Sequence, residues 1–253
     1  MAFISDNSEE LLRSRVEDTV TLCDKRYAPC FLGFLDEREQ AIARDVLHAL
    51  KSNNWLFSGG YSECERAMLC AYPDYVSVDD IEFPFVAVGF QYRSARSLSH
   101  RDFLGTLLAA GIRRDTIGDI LCGDGITVVF LRDEVVPYVC DQITRIGGEG
   151  VTVIADYNGE LPIHKEYELR HETIASPRLD AIVKALTRCS RENAADYVRL
   201  GYIAVDHRTI DSVSFHLTAP CTLSVRGHGR FMIDQIGPET KKGRLQLLAR
   251  KCI

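Results

Sequence analysis

The spacing of apolar side chains separates a helical beginning from an alternating middle and a mixed end. Between Glu9 and Cys23, Leu11, Leu12, Val16 and Val20 recur close to every 3.6 residues, which predicts an amphipathic helix. Asp36, with Glu39 three residues on, is a capping-box start for a second helix with Ile42, Val46, Leu47 and Leu50 on one face. Ser58-Gly59-Gly60 reads as a turn, although paired glycines ahead of a helix also offer a cradle for an anion. Ser62 and Glu65 then repeat the capping box before a short helix that Pro73 must end. Residues 1–74 are therefore expected to form a helical N-terminal domain.

From residue 75 the pattern changes. Ile81–Tyr92 is rich in β-formers and apolar on both faces, as in a central strand. Ser99 and Asp102 cap a helix from Phe103 to Ala110, which Gly111 closes. Ile117–Cys122 and Ile126–Leu131 flank Gly123-Asp124-Gly125, a hairpin signal. Asp133 starts another helix with Val136, Val139, Cys140 and Ile143 inward, Gly147-Gly148 ends it, and Val151–Ala155 is a last strand. This βαββαβ succession over 75–160 predicts a ferredoxin-like domain of the RNA-recognition type. Many unrelated functions use that fold, so it does not assign a role.

A polar connection over 156–175 precedes a third domain, residues 175–253. Ser176-Pro177 places an N-cap ahead of a proline at the first helical position, followed by Leu179, Ile182, Val183 and Leu186 at helical spacing. Ser190 caps a second helix that ends at Gly201. Short strands are expected at Tyr202–Val205, Ser212–Phe215 and Cys221–Val225, then a basic, glycine-containing strand from Val225 to Phe231. The fold class is α+β throughout.

Charge sharpens this division. The chain carries 30 Lys+Arg and 36 Asp+Glu, a net −6. Residues 1–74 hold 8 basic and 13 acidic side chains, residues 75–174 hold 9 and 16, and residues 175–253 hold 13 and 7. A basic last third on an acidic body points to a module that faces a polyanion. Such a body would weaken RNA binding unless it is held away from the phosphates. No apolar run approaches the ~20 residues of a membrane helix, and the charged N-terminus lacks a signal-peptide core, so a cytoplasmic protein is expected. Nine scattered cysteines without paired metal-ligand spacing predict reduced thiols and no metal site.

Enzyme signatures are absent. His100-Arg101-Asp102 resembles the catalytic loop of protein kinases, but Leu107 stands where that loop needs asparagine. There is no GxxxxGK[ST], GxGxxG after a strand, HExxH or GxSxG. No catalytic residue and no cofactor are assigned. Candidate chemistry lies in the basic third. Arg178 and Arg191 occupy first helical turns, where they oppose the helix dipole, so binding explains them better than stability. Asp180 orients Arg178 or strengthens the helix start. Ser190 is a cap, and Lys184, Arg188 and Arg199 lie off the apolar stripe, on solvated faces or against RNA. Arg226 and Arg230 flank glycines in a pattern suited to phosphate.

Arg178-Leu179-Asp180, Ser190-Arg191, Gly201–Val205, Val225-Arg226-Gly227 and Gly229-Arg230-Phe231 together resemble the S-four RNA-binding domain, a helix pair packed on a small sheet. The segments FLDEREQAIARDVL (34–47), GGYSECERAM (59–68) and HRDFLGTLLAAGIRRDTIGDIL (100–121) are similar to those of the bacterial YlmH family, also called RqcP. That resemblance implies an RNA-binding, non-enzymatic factor of ribosome-associated quality control. It would bind the large ribosomal subunit through ribosomal RNA and stabilise peptidyl-tRNA while a partner factor directs alanine tailing of the stalled chain. It also implies that Arg178, Asp180, Arg191, Arg226 and Arg230 contact rRNA or tRNA, with Arg113-Arg114 as a further candidate. Residues 202–206 read YIAVD where the family often has lysines and an Asn-Gly turn, which implies a thinner phosphate-facing charge here. The alternative is an RNA-modifying or RNA-processing enzyme with its active site in the first two domains. A general RNA chaperone is the third possibility.

Overall fold

In the computed structural model, which describes residues 3–93, 98–163, 167–206, 208–240 and 243–252, the chain forms two compact units, residues 1–164 and 165–253. The N-terminal stripe forms helix α1 (Phe3–Arg26), which buries Leu12 and Val16. Strand β1 (Cys30–Leu35) leads to α2 (Glu37–Ala49). Its capping box is formed as the sequence predicts: the Glu39 amide donates to Asp36 and the Asp36 amide donates to the Glu39 carboxylate. Strands β2 (Trp55–Ser58) and β3 (Ala67–Ala71) complete an antiparallel sheet in the order β1-β3-β2.

The N-terminal segment is thus mixed rather than purely helical. The helix expected after Ser62 is instead β3, whose five residues are all buried. A strand buried on both faces shows no alternation, so its apolar run mimics a short helix. The amides of Glu65 and Arg66, which a helix would need, are taken by the carboxylate of Asp119. The Gly59-Gly60 turn is shaped by packing: a Cβ at Gly60, whose φ is +92°, would lie 2.3 Å from the Phe130 ring.

Strand β4 (Phe85–Gln91), α3 (His100–Ala109), β5 (Ile117–Cys122), β6 (Ile126–Arg132), α4 (Val136–Gln142), the small hairpin β7 (Arg145–Ile146) and β8 (Glu149–Gly150), and β9 (Thr152–Ile154) follow. The four-stranded sheet runs β5-β6-β4-β9, all antiparallel. The Asp102 carboxylate accepts from the Ser99 amide and hydroxyl at the start of α3. One inward assignment fails: Val139 and Ile143 are buried, whereas Cys140 is exposed on α4.

Both faces of this sheet are covered. Val88, Phe90, Val129 and Leu131 pack with Phe103, Leu107 and Val139 from the helices. On the other face Phe130 packs with Phe34 and Met68, and Phe85, Ala87, Leu121 and Tyr61 join them. A polar hinge completes the seam. Asp119, 8% exposed, accepts from the Tyr61 hydroxyl at 2.7 Å and from the two backbone amides. The Arg66 guanidinium, also buried, donates to the carbonyls of Ile117 at 3.0 Å and Phe34 at 2.6 Å. Residues 1–74 and the four-stranded sheet therefore share one core.

The second unit comprises β10 (Tyr167–Ile174), α5 (Leu179–Thr187), α6 (Arg191–Arg199), β11 (Ile203–Val205), β12 (Arg208–Thr209), β13 (Cys221–Val225), β14 (Gly229–Glu239) and β15 (Leu245–Cys252). Its sheet runs β10-β15-β14-β13-β11-β12. Leu179, Ile182, Val183 and Leu186 of α5, with Ala194 and Val198 of α6, pack on Ile203, Leu223, Val225, Phe231 and Leu247. Much of the connection expected before this unit is the regular strand β10. Ser176-Pro177 does not open α5. The Pro177 carbonyl accepts from Leu217 and Arg178 bridges His216, which keeps the chain extended to the N-cap, Arg178. Ser212–Phe215 is a turn rather than a strand, and Arg226–His228 turns β13 into β14 instead of continuing a strand. Among the described residues, no helix is long and apolar enough to cross a membrane.

Replacing Asp119 by alanine removes the acceptor shared by the Tyr61 hydroxyl and the Glu65 and Arg66 amides, of which the Arg66 amide is buried, so Asp119→Ala is expected to cost about 2–4 kcal/mol of unfolding free energy. Urea denaturation checks this; a loss below about 1 kcal/mol would mean that water replaces the carboxylate.

Candidate nucleic-acid interface

The helix pair of the C-terminal unit is organised around one buried acid. Asp180 lies in the first turn of α5, and its side chain is only 3% exposed. Arg178, at the N-cap, donates from Nε to Oδ1 at 3.0 Å and from Nη2 to Oδ2 at 3.3 Å. Arg191, the first residue of α6, donates from Nε to Oδ2 at 3.3 Å. Burial by itself would raise the Asp180 carboxyl, but hydrogen bonds and charge, from Arg178 first and then Arg191, hold it below the ordinary carboxylate range. In the other direction, the Asp180 hydrogen bond and charge push the Arg178 guanidinium up. One anchored carboxylate thus fixes two guanidinium groups at adjacent helix starts. Arg191 stays 69% exposed, so its remaining donors face solvent.

The other candidates divide into structural and exposed groups. The Ser190 hydroxyl accepts from the Asn193 amide at 3.1 Å and caps α6. Lys184 is exposed on α5. Arg188 ends α5 in the left-handed region, φ +57°, with Glu172 at 3.9 Å. Arg199 pairs with Asp196 one turn back at 2.8 Å on an exposed surface.

At the other end of α6, Arg226 and Arg230 border a groove of about 380 Å³ that Tyr202, Ser224, Gly227 and Gly229 also line. The Arg226 guanidinium lies 4.9 Å from the Tyr202 ring centroid, a cation–π contact, and its amide donates to the Tyr202 carbonyl at 3.0 Å. Tyr197 stands 6.4 Å from Tyr202 and 5.5 Å from the His228 ring. Arg230 is on β14 opposite Ser224 of β13. The sequence reading missed Tyr197, Tyr202 and His228. Its available signal was aromatic residues beside glycine and arginine; what brings them together is the strand pairing of Ile203 with Val225.

The first unit offers less to an anion. Arg114 is half-buried, donates to the Ile117 carbonyl at 2.7 Å, and is pushed down to about 10 by burial and then by neighbouring Arg66. Arg113 is exposed but sits 3.2 Å from Asp115 and 3.9 Å from Glu134. With Glu134 it borders a groove of about 570 Å³ beside Gly111 and Tyr138. A carboxylate on that wall disfavours phosphate. RNA-recognition-type domains stack bases on an open sheet face; here Phe130 and Phe85 on that face are covered by Phe34, Met68 and Tyr61. Among the described residues, no three acidic, histidine or cysteine side chains are placed to hold a metal ion.

Three comparisons bear on these surfaces. Residues 78–158 match the family described as "Putative RNA-binding domain in YlmH". A Bacillus subtilis (strain 168) protein named ribosome-associated protein quality control protein P2 is 28% identical over 225 residues, 88% of this chain and 87% of that protein. The structure described as cell division protein ylmH from Streptococcus pneumoniae matches with a TM-score of 0.52 at 16% identity, covering 58% of this chain and 90% of that one. The last match speaks to fold alone. The near full-length relative and the matched segment agree with the signature segments read from the sequence, and the chain is similar to the YlmH family along most of its length.

Proposed function

We propose that this protein is an RNA-binding factor of ribosome-associated quality control, and that its C-terminal unit supplies the main RNA-contacting surface. The observation that carries the reading is the Asp180 clamp, which presents Arg178 and Arg191 side by side on a unit with excess positive charge. Fixed guanidinium groups suit paired recognition of phosphates. The name of the Bacillus subtilis relative supports the cellular setting. In this reading the C-terminal unit is an S-four-type module over 175–253, carried by a helix-containing segment, 1–74, and a ferredoxin-like segment, 75–160.

The finer reading follows the family resemblance. The protein binds rRNA of the large ribosomal subunit in the cytoplasm, steadies peptidyl-tRNA, and works beside the factor that directs alanine tailing. It acts by binding, not by catalysis. Arg178, Arg191, Arg226 and Arg230 contact phosphates, with Lys184, Arg188 and Arg199 on the flanks, while Asp180 and Ser190 position the helices.

The protein is expected to co-sediment with large subunits and to dissociate steeply as salt rises. Arg191→Ala and Arg230→Ala should each weaken RNA binding about five- to fiftyfold and lower the slope of log affinity against log salt by about 1. Salt-independent binding, or unchanged slopes in both variants, would remove the assignment. Asp180 gives a pH test. Its folded-state pKa is depressed, so its contribution is fully present above the unfolded-state value of about 4 and is lost as pH falls through the lower folded value. Wild type and Asp180→Asn should therefore differ in unfolding free energy at pH 7, and the difference should shrink below about pH 4. A gap that persists at low pH would show that geometry, not charge, makes the clamp.

A further inference from the structure

We infer that the groove beside Tyr202 takes a single unstacked nucleobase, so that the C-terminal unit reads an unpaired nucleotide as well as helix phosphates; this rests on the RNA-binding reading above. Phosphate alone would need only the arginines. The groove instead has an aromatic and guanidinium platform, Tyr202 with Arg226 stacked 4.9 Å away. Bases without a pairing partner are held in RNA-binding proteins by stacking on such rings and guanidinium planes.

The platform is braced from behind. The amide of Arg226 is tied to the Tyr202 carbonyl, and Tyr197 packs between Tyr202 and His228 with its hydroxyl 3.4 Å from His228 Nε2. A braced ring loses little further freedom when a base stacks on the platform. The opposite wall is open. Gly227 and Gly229 have φ of +83° and +95°; a Cβ on Gly227 would meet nothing within 4 Å, and one on Gly229 only Lys251 Cε at 3.7 Å. A flat ligand can therefore approach the backbone closely.

The remaining lining suits a nucleotide. Ser224 supplies a hydroxyl that donates or accepts, and Arg226 and Arg230 are the charged residues on the groove, with no carboxylate among the residues that line it. A base stacked on Arg226 would place its own phosphate near a cation. The groove beside Arg113 lacks this character because Glu134 lines it.

The test uses the full-length protein and two RNA hairpins, identical except for one bulged 2-aminopurine. Wild type should bind the bulged hairpin at least about fivefold more tightly, with the probe's fluorescence quenched on binding. Tyr202→Leu, which keeps apolar volume without a ring, and Arg226→Lys, which keeps charge without a plane, should each remove the preference and the quenching. Tyr202→Phe should retain both. The readout is the ratio of two affinities, so a general loss of phosphate binding does not imitate it. Equal binding of both hairpins by wild type, or a preference that survives Tyr202→Leu and Arg226→Lys, overturns the inference and leaves RNA binding standing. Failure to bind either hairpin at low salt overturns the RNA-binding reading as well.

Discussion

The C-terminal unit depends on a carboxylate taken out of water. Asp180 is 2% exposed, and a lone charge there would be costly. Two arginines compensate it, and in doing so they join the N-cap of α5 to the start of α6. The apolar stripes of both helices then meet the sheet in one register. Positive charge at a helix start is unfavourable by itself. The clamp offsets that cost and leaves Arg191 69% exposed.

The first unit uses a comparable device for a different end. Asp119 and Arg66 satisfy backbone groups across the seam between two sheets, where apolar packing alone would leave amides and carbonyls unpaired. The seam also buries the sheet face that an RNA-recognition-type domain would offer to bases. The segment 78–158 matches a family described as RNA-binding, but its sheet face is closed by its own N-terminal neighbour. Any RNA contact from that segment must use its helices or edges.

Much of this organisation was legible in the chain. The Asp36–Glu39 box, the hairpin at Gly123–Gly125 and the stripe from Leu179 to Leu186 are local signals, and each appears where its spacing puts it. The errors have a common cause. Strand β3 is buried on both faces, so it carries no period of two, and β14 and β15 pair through register shifts that blur theirs. Ser176-Pro177 reads as a helix start, but pairing with residues 216 and 217, invisible to local pattern, keeps it extended. The candidate site was legible in its charges and not in its rings. Tyr197, Tyr202 and His228 meet only because α6, β11 and the turn before β14 converge.

The placement of RNA contact in the last third of the chain is open to direct measurement. Ultraviolet crosslinking of the full-length protein to the RNA that co-purifies with it, followed by mass spectrometry of the crosslinked peptides, reads that contact residue by residue. Crosslinks should concentrate on the peptides spanning 190–202 and 226–231. Crosslinks confined to 78–158, with none after residue 175, would contradict the assignment.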